Sequence, residues 1–243
     1  MRSYVVFLLL LAVKGASRVL FRVRLSWIRE AHDPWSDLRV VALLNHTSLF
    51  EPLFVAAAPN RMLWQLAAHG VLPVADKTTG RPIVGRLFRF FARHVVPITR
   101  ERDQTWTTVL SKIRDPRALI CILPEGRMKR RTGLDASGNP MTIRGGIADI
   151  LLAVPGGKLL LAYSGGLHHV HAPGDRFPRP FRRVELRAEA VDIPTYREQL
   201  LALVGPDGFK TAVIEDLTRR RDECCPDRAR HTTNRLRAAS ADS

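Results

Sequence analysis

Cysteine is scarce in this chain of 243 residues: Cys121 lies in an apolar run, and Cys224 and Cys225 sit side by side in a charged stretch. Three thiols so placed exclude a disulfide scaffold and a zinc site built from separated CxxC pairs, and they fit a reducing compartment. Acidic residues are few as well, 23 against 38 Lys and Arg, which leaves a net charge of +15 and a pI near 11.0. A balance of that kind attracts an anionic partner, either nucleic acid or the phosphate surface of a membrane, and charge alone does not choose between them. No helix-turn-helix, zinc-finger or RRM signature accompanies the basic residues, so nucleic acid is not the expected partner. There is no GxSxG elbow, which argues against a serine nucleophile, and no internal repeat.

Long apolar runs are also lacking. The longest, Tyr4 to Val13, covers ten residues. As a helix it extends about 15 Å, half the roughly 30 Å of a bilayer's hydrocarbon core. Arg2 before it and Gly15-Ala16-Ser17 after it resemble a signal peptide, but Lys14, Arg18, Arg22 and Arg24 follow where a translocated segment is neutral. The expected structure is an uncleaved interfacial helix, continued by Leu20, Phe21, Leu25, Trp27 and Ile28 at the headgroup level, with a signal peptide, a true span and a plain core helix as alternatives.

What is present begins with length. With 46% hydrophobic residues the chain can bury one substantial core. Three regions are expected: a membrane-anchoring segment over 1–30, one catalytic domain over 31–217, and a basic, arginine-rich, solvated or disordered tail over 218–243. Apolar runs at 38–44, 93–98, 117–123, 158–163 and 184–191 read as strands, and 52–58, 81–92, 103–114, 142–154 and 209–219 read as helices. The alternation predicts an α/β fold with a central mixed sheet flanked by helices, plus the N-terminal membrane-associating helix. Within it, 83–96 has Arg86, Arg89 and Arg93 on one side and Val84, Leu87, Phe88 and Phe91 on another, the pattern of either an interfacial helix or an ordinary amphipathic one.

Two segments carry the chemistry. Asn45-His46-Thr47-Ser48-Leu49-Phe50-Glu51 follows the run 40–44, and Leu123-Pro124-Glu125-Gly126-Arg127 follows the run 118–123. Strand ends present side chains to a cleft, so the two are expected to share one site. In a strand-to-helix turn Glu51 can reach the imidazole of His46, fix its tautomer and leave the other ring nitrogen as a general base. The competing reading is an N-cap turn made by Thr47 or Ser48, with His46 incidental. The segment 124–140, rich in glycine, is an exposed loop of a length often used for binding. The glycines of Arg144-Gly145-Gly146 suit a tight turn or simple close packing. His168, His169 and His171 are not expected to bind metal, because alternation along a strand turns the first two apart and no cysteine or carboxylate partner is near.

Taken together, the segments resemble the glycerolipid acyltransferases, the family that includes the 1-acylglycerol-3-phosphate acyltransferases. Asn45-His46 and Glu51 match its NHxxxxD block, Glu125-Gly126 its PEGTR-like block, and the stretch from Gly80 to Arg100 a middle block ending in arginine. The similarity spans roughly residues 38 to 165, and Leu159-Leu160-Leu161-Ala162-Tyr163 weakly echoes a fourth block. Glu51 stands in place of the usual aspartate and Arg127 in place of a threonine, which opens the identity of the acceptor. The resemblance implies an O-acyltransferase in which His46 deprotonates an acceptor hydroxyl that attacks the thioester of acyl-CoA or acyl carrier protein directly, without a metal or other cofactor. It implies that amides near Gly126 hold the oxyanion, that Glu125 positions the acceptor's glycerol, and that Arg100 and Arg127 take its phosphate. The implied acceptor is a lysophosphatidic acid-like lipid. Alternatives are another lysophospholipid, an ornithine lipid, a glycolipid, or no catalysis at all in a basic lipid-binding protein. The expected location is the cytoplasmic face of an inner or plasma membrane.

Overall fold

A computed structural model describes residues 1–29, 32–75, 94–98, 104–172 and 175–226. Arg100, most of the middle block and most of the amphipathic segment 83–96 lie outside the described residues. Helix α1 (Arg2–Leu20) leads into β1 (Arg22–Trp27) and β2 (Leu38–Leu44). A short 3-10 helix (Glu51–Ala56), α2 (Asn60–His69), β3 (Gly70–Ala75) and β4 (His94–Ile98) follow. The chain continues through α3 (Gln104–Ile113), β5 (Leu119–Ile122), α4 (Gly146–Ala153), β6 (Lys158–Ser164), β7 (Arg183–Asp192) and α5 (Ile193–Cys224).

The seven strands among the described residues form one sheet in the order β1-β7-β6-β2-β5-β3-β4. Strands β6, β2, β5, β3 and β4 run parallel, while β7 is antiparallel to β6 and carries β1 parallel at the edge. The predicted mixed α/β sheet is therefore the observed one. Its central strands are buried on both faces, and β2 (LRVVALL) and β6 (KLLLAYS) accordingly read as nearly continuous apolar runs. On one face Val40, Ala42, Leu44, Ile120, Leu159, Leu161 and Tyr163 pack against α3, α4 and α5. A register shift between Leu38 and Val40 turns Leu38 to the opposite face, where it meets Leu119, Leu160, Ala188 and residues of α1 and α2.

The structure corrects two expectations at the termini. Arg22–Trp27 is an edge strand, with Arg22, Arg24 and Ser26 exposed and Val23, Leu25 and Trp27 half-buried, so the N-terminal helix ends at Leu20 and the sheet begins before residue 31. At the other end α5 continues to Cys224, past the boundary placed at 218, because its arginines are paired: Arg220 with Glu189 at 2.7 Å and Asp216 at 2.7 Å, and Arg221 with Glu125 at 3.3 Å. Helix α5 is broken at Gly205 (φ 69°), which precedes Pro206, and its two halves share the α4 face.

Helix α1 is also longer than its ten-residue apolar run. Its 19 residues are long and apolar enough, by length and composition, to cross a membrane. One face is docked on the protein: Val6 and Leu10 are buried, Lys14 Nζ donates to Ala58 O and Asn60 Oδ1 at 2.7 Å each, and Arg18 Nε donates to Ala56 O at 3.0 Å. The opposite face exposes Tyr4, Val5, Leu8, Ala12, Gly15, Ala16 and Val19, none of them charged.

Candidate active site

Strands β2, β5 and β6 are neighbours and parallel, so the turns that leave their C-terminal ends meet at one edge of the sheet. In parallel sheets that edge is where ligands bind. The turn after β2 starts with Asn45 at φ 65°, a left-handed conformation that asparagine tolerates better than most residues. Asn45 is fastened there, since its Nδ2 donates to Ser164 O at the end of β6 (2.9 Å) and its Oδ1 accepts from Lys129 Nζ (3.2 Å). The reversal brings Glu51 back beneath His46.

His46 Nδ1 lies 2.8 Å from Glu51 Oε2. A carboxylate only accepts, so Nδ1 carries the proton and Nε2 is the ring's basic nitrogen. Nε2 is bonded to no described residue, and the imidazole is 13% exposed. The other carboxylate oxygen, Oε1 of Glu51, accepts the backbone N–H groups of Thr47 (2.8 Å) and Ser48 (3.0 Å). One buried carboxylate thus orients the histidine and closes its turn. Thr47 and Ser48 do not cap the 3-10 helix with their side chains: Thr47 Oγ1 accepts from Leu167 N, and Ser48 Oγ accepts from Phe50 N. Burial acts to lower the pKa of His46, but the hydrogen bond and charge of Glu51, with the more distant charge of Glu125, outweigh it and set the pKa above its ordinary value.

Glu125 is 2% exposed and faces the same turn from β5. Its Oε2 accepts the backbone N–H of His46 at 2.9 Å, and its Oε1 accepts from Asn45 N and Arg221 Nη1 at 3.3 Å each. Both oxygens are thus engaged by the protein itself, in a strut that joins the two strand-end turns. Gly126 takes φ 63°, and a Cβ there would meet only Arg144 Cγ at 3.7 Å, so the glycine answers a conformational need and not a shortage of space. Its N–H donates to Leu123 O at 2.9 Å, so this amide closes the turn.

Arg127 pairs with Asp135 inside its own loop. Backbone N–H groups of Asn139 and Ser137 complete the shell around that carboxyl; with the guanidinium they hold it well below the usual carboxylate range, at about 2. The loop is attached to the histidine turn by Lys129 N donating to His46 O (2.7 Å) and by His168 Nε2 donating to Lys129 O (2.8 Å). His169 and His171 donate to two other carbonyls, Arg183 O and Asp175 O. Among the described residues no cluster of His, Cys, Asp and Glu forms a metal site.

Sequence reasoning therefore named His46, Glu51, Glu125, Gly126 and Arg127 at the site, and missed Lys129, His168 and Arg221. The first two lay inside segments already noted. Arg221 carried no sequence signal beyond membership of an arginine run.

A profile of the Acyltransferase family matches residues 28–161, more than half of the chain. The chain belongs to the Acyltransferase family. That membership bears out the resemblance carried by the two motif segments. Among solved structures, this acyltransferase is similar to the 1-acyl-sn-glycerophosphate (LPA) acyltransferase PlsC from Thermotoga maritima, with a TM-score of 0.58 and 18% identity over 92% of this chain and 81% of that one. At that identity the likeness concerns the fold. Comparison with curated protein sequences gives no match.

Proposed function

We propose that this acyltransferase is a membrane-associated O-acyltransferase that moves a fatty acyl chain from an acyl thioester to the hydroxyl of a lysophosphatidic acid-like glycerolipid. The observation that carries the reading is the His46–Glu51 pair, built where three parallel strands end and held by Glu125 from the neighbouring strand. Nε2 of His46 takes the proton of the acceptor hydroxyl as its oxygen attacks the thioester carbonyl carbon. The tetrahedral oxyanion collapses, the C–S bond breaks, and the proton on Nε2 passes to the departing thiolate, leaving an ester and a free thiol. Glu51 stabilises the transient imidazolium and holds its orientation. Glu125 positions the His46 turn through two main-chain amides, and Arg100, Arg127 and Lys129 supply cations for an acceptor phosphate.

Helix α1 lies along the membrane with Tyr4, Val5, Leu8 and Val19 toward lipid, on the cytoplasmic face where thiols stay reduced. Because Arg127 is already occupied by Asp135, acceptors other than lysophosphatidic acid belong to the same reading. The test is acyl transfer by the purified protein in phospholipid vesicles, with labelled acyl-CoA and acyl carrier protein donors against lysophosphatidic acid, other lysophospholipids, ornithine lipid precursors and glycolipids. Transfer to one of these acceptors names the substrate. Failure across the panel by folded, vesicle-bound protein favours the non-catalytic lipid-binding alternative.

A further inference from the structure

We propose that the segment Arg176–Arg183 is a second membrane-contacting element, which seats the protein on an anionic phospholipid surface beside α1. The inference rests on reading α1 as a helix that lies on the membrane. The segment reads Arg-Phe-Pro-Arg-Pro-Phe-Arg-Arg: four cations, two aromatics and no acid. Phe177 is 70% exposed and Phe181 68% exposed. Two phenylalanines left so open on one short loop are costly in water and are commonly explained by a partner surface.

The backbone holds this loop in place. Phe181 sits at φ 61°, a left-handed conformation unusual for a bulky residue, and its N–H donates to Leu20 O at the end of α1. Directly after it, Arg182 O accepts from Arg22 N, the first residue of β1, at 3.0 Å. The loop is thereby fastened to the junction at which the uncharged outward face of α1 ends in Val19 and Leu20, 75% and 42% exposed. The loop backbone thus adjoins the end of that uncharged face.

Cations flank the two rings along the segment. The Arg176 guanidinium lies 5.4 Å from the Phe177 ring centroid, while Arg179 and Arg183 are partly engaged with Asp175 (3.5 Å) and Glu185 (2.6 Å). Aromatics at the depth of the glycerol backbones, with guanidinium groups among the phosphates, match the layered chemistry of a bilayer interface. The occupant that satisfies both features is a membrane containing anionic lipid. At its middle the loop is tied toward the site, because Arg179 N donates to Val170 O, two residues beyond His168, whose Nε2 holds Lys129 O. A loop in the headgroup layer would set the distance of the His46 cleft from the bilayer.

The test is flotation of the full-length protein with vesicles of phosphatidylcholine alone and of phosphatidylcholine with phosphatidylglycerol. Phe177 is open enough to change without disturbing the fold. Phe177→Asp is expected to weaken partitioning roughly tenfold, in line with losing one partly inserted aromatic. Phe177→Trp is expected to strengthen it. Arg176→Gln with Arg182→Gln is expected to cost about fivefold per arginine on anionic vesicles, and little on neutral ones. Leu8→Asp in α1 serves as the reference. Wild-type protein that fails to float at all sinks the α1 reading. Floating wild type with Phe177→Asp, Phe177→Trp and the arginine variant all indistinguishable from it overturns the loop proposal and leaves α1 standing.

Discussion

Arg221 in α5 and Glu125 after β5 are 96 residues apart in sequence, yet Arg221 Nη1 donates to Glu125 Oε1 at 3.3 Å, and the same guanidinium nitrogen donates to Met141 O at 2.9 Å. Glu125 in turn holds the amides of Asn45 and His46. The last described helix thus supports the turn that carries the histidine, through one buried carboxylate.

Removing one partner of a buried ion pair leaves the other charge uncompensated, a loss of about 3 kcal/mol. Arg221→Met is therefore expected to lower the denaturation midpoint clearly, and to lower kcat as the turn loosens. Urea unfolding followed by circular dichroism, alongside acyl-transfer rates, checks both. Unchanged stability and rate would show that the contact is incidental.

The pH profile reports on Glu51. His46 accepts a proton only when neutral, and its pKa lies above that of an ordinary histidine, so the rate is expected to rise with pH through an acidic limb whose midpoint lies above that of a free imidazole. Glu51→Gln removes the hydrogen bond to a carboxylate and the charge that raise the pKa, and keeps the burial that lowers it. The limb then moves to lower pH, while the maximal rate falls on the order of 10²- to 10⁴-fold. A limb that stays in place would mean that another group titrates.

Glu51→Asp is a sharper probe, since Glu51 bonds His46 with one oxygen and the amides of Thr47 and Ser48 with the other. A side chain one methylene shorter from the same backbone satisfies one set at the expense of the other. The variant is expected to lose activity without losing its fold, as measured by kcat and thermal melting. Full activity would place the carboxylate's reach outside the requirements of catalysis.

Gly126 tests conformation separately from space. An alanine there fits sterically but must adopt φ 63°, which costs about 1 kcal/mol, whereas asparagine costs less. Gly126→Ala is expected to fall below Gly126→Asn in both melting temperature and rate. The reverse order would show that the turn relaxes to another geometry.

Much of this arrangement was legible in the sequence, because β2, β5 and β6 are apolar runs that end in polar turns, and their spacing brings His46, Glu51 and Glu125 to one edge. The five-residue step from His46 to Glu51 also carried its meaning locally. Other parts were not legible for specific physical reasons. The alternation Arg-Val-Arg-Leu-Ser-Trp in β1 is a strand pattern, but beside an apolar helix the same arginines suit a lipid interface. Strand β3 contains Pro73, which ordinarily argues against an inner strand. Helix α5 is interrupted at Gly205-Pro206, and its arginine-rich end looked solvated because the carboxylates that neutralise it, Glu125 and Glu189, belong to distant strands. Contacts of that kind are written in the tertiary structure alone.

The central claim is that Nε2 of His46 is the base for acyl transfer. Purified wild-type protein and His46→Ala, each shown to be folded and bound to vesicles, should be given a labelled acyl thioester and the acceptor panel. Ester product and free thiol formed in equal amounts by the wild type, with a loss of at least two orders of magnitude in His46→Ala, is the expected result. Equal product from both proteins would contradict it.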